Sequence, residues 1–157
     1  MQAFGTGIDP TVRKITRGYE VRGMLERVTS VGDGGVTVNE VQLAYDSYSQ
    51  LVTDCQAHGG PVDVSTTPKV QYGYADGSAN TVRPVSMTYP DGRMLDYDYG
   101  SGGGMNDALS RIGSIQQGGI ALAAYNYLGL GQVVQTGVPT RPVRAALSVP
   151  RCRPVNW

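Results

Sequence analysis

The chain has 157 residues, and its 13 Lys+Arg balance 13 Asp+Glu to give a formal net charge of zero. That balance leaves no electrostatic footprint for nucleic acid or an anionic membrane, and the length suits one ordinary domain. With 22 Gly, 10 Tyr, one Phe and only 17% charged residues, the composition favours many short strands and turns over helices.

In chain order, the opening MQAFGTGIDP has neither a basic region nor a long apolar one, so no signal peptide is expected in it. Residues 1–12 read as a lead-in. A pattern then sets in: aromatic, acidic, two spacers, Gly or Ser, polar, aliphatic. Its first copy runs from Tyr19 through Glu20 and Gly23 to Leu25. VGDGGV from Val31 lacks the spaced carboxylates of a calcium loop and reads as a two-strand turn. The second copy has Tyr45, Asp46 and Leu51, with Ser49 at the Gly place.

TDCQAHGGPVD follows, with Cys55 and the only histidine, His58. Their spacing is ligand-like, but two ligands fall short of the three or four that zinc takes. With Asp54 they could be a Cys–His pair; the polar composition and Gly-Gly-Pro ending favour a plain loop between strands. Cys55 and Cys152 are too few for a disulfide framework, and two unrelated thiols are favoured over one bridge.

Tyr72 and Tyr74 come next, two apart and so on one strand face. Val85, Met87 and Tyr89 then alternate with polar residues, as do Leu95, Tyr97 and Tyr99. Between them Pro90 presets φ, Asp91 can bond its own backbone and Gly92 tolerates positive φ, which predicts a hairpin with one apolar and one wet face. GSGGGMND from Gly100 lacks the Lys-Ser/Thr of a phosphate loop and reads as a loop between hairpins.

Asn106 to Ile112 repeats the pattern with Arg111 at the polar place and no aromatic. Tyr125 and Tyr127 form a third Tyr-x-Tyr pair, and Tyr127 to Val133 is a last copy with Gly131 at the glycine place and no acid. The apolar run from Ile120 is too short and interrupted for a membrane span. Residues 137–157 are rich in Pro and Arg; a disordered terminus is favoured over a basic docking arm.

The tyrosine centres fall near 19, 45, 73, 98 and 126, a spacing of 25 to 28 that marks stacked repeat units. Each unit reads as a strand ending on an inward tyrosine, an acid opening the turn, Gly or Ser at the tight position, and an aliphatic residue restarting the chain. Such a hairpin needs its neighbours to bury its apolar face. The aspartates are spread over the turns rather than paired, so an enzyme is not expected, nor any cofactor or metal.

YEVRGML, YDSYSQL, NDALSRI and YPDGRMLDYDY resemble the tyrosine–aspartate (YD) repeats of bacterial Rhs-type proteins, insecticidal toxin complexes and teneurins, over roughly residues 13–136. The resemblance implies a β-strand spiral that closes into a shell around a C-terminal toxin or serves as a surface scaffold, in a secreted or cell-surface setting. The five units here imply a piece of shell wall.

The expectation is therefore an all-β protein of about ten antiparallel strands in consecutive hairpins, forming an open curved sheet. It would act structurally, against neighbouring repeats or another copy of itself through its open edges, with a toxin domain of a parent protein as a further partner. Nucleic acid and a membrane span are not expected. The alternative is a stand-alone module binding a carbohydrate or protein on the tyrosine-rich face. Buried tyrosines would favour the first reading and a solvated row the second.

Overall fold

The computed structural model describes residues 11–75 and 82–138. Ten strands run through them: β1 (Lys14–Tyr19), β2 (Leu25–Val31), β3 (Thr37–Tyr45), β4 (Leu51–Ala57), β5 (Lys69–Tyr74), β6 (Pro84–Thr88), β7 (Met94–Asp98), β8 (Ser114–Gln117), β9 (Ile120–Leu128) and β10 (Gln132–Gly137). They form one antiparallel sheet whose strand order is the sequence order, open at β1 and β10. The all-β expectation holds. A 3-10 turn at Asp33–Gly35 and a single helical turn, α1 (Met105–Ala108), are the other elements. α1 lies in the 99–113 connection, where the glycine-rich loop was expected. Among the described residues no helix is long and apolar enough to cross a membrane.

The register separates two faces, because alternate residues of a strand point to opposite sides. On one face Val28 lies opposite Val41, Tyr72 opposite Met87, Met87 opposite Leu95, and Tyr97 opposite Ile115. Period two adds Tyr45, Tyr74, Tyr99, Tyr125 and Tyr127 to it. The other face carries Thr29 opposite Glu40, Gln42 opposite Cys55, Asp96 opposite Gln116 and Asp98 opposite Ser114. The predicted wet and apolar faces are clear from β5 to β8, whereas on β1 and β4 the tyrosine face also carries Arg17, Asp54 and Gln56.

With a single layer there is little interior. Among the described residues only Cys55 and Tyr99 are buried apolar side chains, and only Glu40 and Ser114 are buried polar ones. The burial of Glu40 has a local cause. Its carboxylate accepts from Thr29 Oγ1 at 2.7 Å, Arg27 Nη1 at 3.0 Å and the Val62 N–H at 2.9 Å, so the 58–68 loop is pinned over the polar face. Burial alone would push this carboxyl up, yet those bonds and the Arg27 charge together hold it below its ordinary value.

Candidate functional site

The feature that recurs is a junction at one end of the sheet, where the β1–β2, β3–β4, β5–β6, β7–β8 and β9–β10 connections lie side by side. Tyr45 Oη donates to the Leu25 carbonyl at 2.8 Å, and Tyr74 Oη to that of Leu51 at 3.0 Å. Tyr99 Oη does the same to Pro84 at 2.8 Å and Tyr127 Oη to Ile112 at 2.7 Å. Each bond runs from the end of an odd-numbered strand to the beginning of the even-numbered strand before it. The aliphatic positions Leu25, Leu51 and Ile112 therefore serve this end through their carbonyls.

Arginines stitch the same turns together. Arg22 donates to the Asp46 carbonyl at 2.6 Å and reaches Ser49 Oγ at 3.5 Å. Arg83 repeats this on the Asp107 carbonyl at 2.6 Å and Ser110 Oγ at 3.0 Å, and adds an ion pair to Asp107 Oδ1 at 2.6 Å. The bond from Arg83 holds the Asp107 carboxyl below its ordinary range. Arg111 donates to the Gly129 carbonyl at 2.6 Å. Arg83 and Arg111 also stack on the rings of Tyr99 and Tyr127, at 4.4 and 4.6 Å from the centroids. Burial pushes the Tyr99 and Tyr74 hydroxyls up, which keeps both as neutral donors.

The turns themselves share one backbone form. The Glu20 N–H donates to Met24 O at 3.0 Å and Gly23 N–H returns to Glu20 O at 2.8 Å. Asp46/Gln50 and Tyr89/Arg93 form the same pairs, at 3.0 and 2.8 Å. The fourth residue is left-handed each time: Gly23 at φ 85°, Ser49 at 67°, Gly92 at 81°, and Ser110 at 51° in the α1 connection. Asp46 Oδ1 accepts from the N–H groups of Tyr48 and Gln50, as an acid opening a turn should, while Asp91, third in its turn, accepts through Oδ1 from the N–H of Arg93. Ser49 and Ser110 are the non-glycine residues at positive φ among those described, and both face an arginine from the preceding turn.

Six predicted residues sit differently. Tyr89, Asp91 and Gly92 belong to the β6–β7 turn at the opposite end of the sheet, and Leu95 lies just past it on β7, opposite Met87. Arg93 stacks on Tyr89 at 4.4 Å within that turn. In the β9–β10 connection the left-handed glycine is Gly129, at φ 60°, and not Gly131. Leu128 there pairs directly with Gln132, so three residues close the hairpin. Tyr19, on edge strand β1, is 59% exposed and its hydroxyl has no partner among the described residues.

Sequence reasoning passed over Arg22, Arg83, Pro84 and Glu40. A signal for Arg83 was present: like the predicted Arg111, it precedes an acceptor residue and stands sixteen positions before the tyrosine it stacks on. Cys55 and His58 do not converge. Cys55 is buried on the polar face, lining a hollow with Gln42, Thr53, Val64 and Lys69, and burial raises its thiol. His58 lines a separate hollow with Asp54, Gln56 and Pro90. Among the described residues no group of three or more His, Cys, Asp or Glu could hold a metal. Cys152 and the Pro/Arg-rich tail from residue 139 lie outside the described residues, as do residues 1–10 and 76–81. No protein-family model and no curated protein matches the chain.

Proposed function

We propose that the chain is a structural segment of a YD-repeat shell or scaffold of the Rhs type, whose work is to pack against neighbouring repeats. In an intact relative such a wall would enclose a C-terminal toxin. The observation that carries this reading is the fourfold junction: Tyr45, Tyr74, Tyr99 and Tyr127 each spend the hydroxyl on a carbonyl of the strand before. A ligand platform needs those hydroxyls and ring faces free. Here two of the four ring faces are also covered by arginine.

The competing reading, a carbohydrate-binding module, draws on Tyr72, Tyr97 and Tyr125, the inner members of the pairs, whose hydroxyls make no such bond. The two readings part on one titration. Soluble oligosaccharides (gluco-, galacto- and manno-series) added to the chain should leave tyrosine fluorescence without saturable change. A saturable change that disappears in Tyr72→Ala would move the function to ligand binding.

A further inference from the structure

The four junctions obey one rule of register. Extending the pairing of β2 with β3 places Leu25 opposite Ala44, and the donor is Tyr45, one residue beyond. The pairing of β4 with β5 places Leu51 opposite Gly73, and the donor is Tyr74. Likewise Pro84 lies opposite Asp98 with Tyr99 donating, and Ile112 opposite Asn126 with Tyr127 donating. A second regularity marks three of the four acceptors. Tyr19 pairs with Leu25, Tyr45 with Leu51 and Tyr74 with Pro84, and each pairing is followed by a register shift. Tyr127 pairs with Val133 in the same way, with the same shift.

Val133 is therefore a fifth acceptor, placed on β10, with no strand beyond it among the described residues. Tyr19 is a fifth donor, placed on β1, with no strand before it. The edges also expose what the interior covers: Ile15 is 57% and Val134 55% exposed. Strand β10 contains no charged residue and no proline, the usual means of blunting an edge.

We propose that β10 of one copy pairs antiparallel with β1 of a second copy, with Tyr19 Oη of the second donating to the Val133 carbonyl of the first. This rests on the scaffold reading and names the partner of its edges. The rule fixes the register: Val133 opposite Gly18, Val134 opposite Arg17 and Gln135 opposite Thr16. Donor and acceptor lie on opposite edges, so the contact is head-to-tail and adds copies into a chain or ring rather than a two-fold dimer.

The test is molar mass against concentration by light scattering, together with disulfide trapping. In a Cys152→Ser background, Thr16→Cys with Gln135→Cys should give an intermolecular bond mapped to positions 16 and 135, since directly opposed antiparallel residues lie within disulfide reach. Arg17→Cys with Gln135→Cys, off register, should not. Tyr19→Phe should weaken association about fivefold, the share of one neutral hydrogen bond, and Tyr48→Phe, in an exposed turn, should leave it unchanged. Association indifferent to Tyr19→Phe and trapped in another register would overturn this interface and leave the scaffold reading standing. A monomer at every concentration would overturn it too, and saturable oligosaccharide binding by that monomer would remove the scaffold reading as well.

Discussion

The two ends of the sheet are held differently. At the tyrosine end, turns bond to turns: Arg22 reaches the β3–β4 turn, Arg83 the α1 connection and Arg111 the β9–β10 turn, above the ladder of hydroxyls. At the other end the short connections close their own hairpins: Gly118 and Gly119 make a tight turn at positive φ, and Tyr89–Arg93 is complete in itself. The other two do more: Asp33 in the β2–β3 connection pairs with Arg13 ahead of β1 at 2.9 Å, and the 58–68 loop folds back on Glu40. A single-layer sheet lacks a second layer to hold its strands, and here neighbouring turns supply part of that restraint. The cost of a substitution should then depend on which end it touches.

The largest effect should come from Tyr99→Ala, which removes the most buried ring, its carbonyl bond and the surface under Arg83. It is expected to cost about 3 kcal/mol in urea unfolding, as large-to-small changes at buried rings do. Leu95→Ala, four residues before Tyr99 along β7 and half-buried, should cost clearly less.

Glu40→Ala comes next. It leaves the Thr29 hydroxyl, the Val62 N–H and the Arg27 guanidinium without their shared acceptor, at about 2 kcal/mol. The same site sets an acid dependence. Because the folded carboxyl is held below its ordinary value, its contribution is present above the unfolded carboxylate range and lost as pH falls through the folded one. Hydrogen exchange at Val62 should accelerate on acidification before that of the strand amides flanking Tyr99.

Gly23→Ala and Gly92→Ala place a Cβ in open space, so each should cost only the left-handed backbone, about 1 kcal/mol. The smallest effect is expected from Ser49→Gly. Relief of the left-handed strain is offset by a freer unfolded chain and by the weak contact to Arg22, leaving the unfolding midpoint within about 0.5 kcal/mol of the parent.

Much of this architecture was legible. Alternation around Pro90–Arg93 fixed a hairpin because side-chain period and turn chemistry are both local. Gly23, Ser49 and Gly92 were found at the tight position for the same reason. The targets of the tyrosine hydroxyls were hidden, because they depend on register carried across connections such as 58–68. Glu40 was hidden as well: in TVNEVQLAY it occupies a polar-face position, and only a loop returning from twenty-two residues downstream buries it. Gly131 misled because a three-residue hairpin loop moves the left-handed residue toward its start, at Gly129.

The central claim is that tyrosine hydroxyls at the inner junctions hold the sheet together while Tyr19, on the edge, holds nothing within one copy. The direct measurement is equilibrium urea unfolding in dilute solution of the Tyr→Phe variants at 45, 74, 99 and 127 beside Tyr19→Phe. The account predicts a loss of about 1 kcal/mol for each inner variant and no measurable change for Tyr19→Phe. Five equal effects, or four inner variants as stable as the parent, would contradict it.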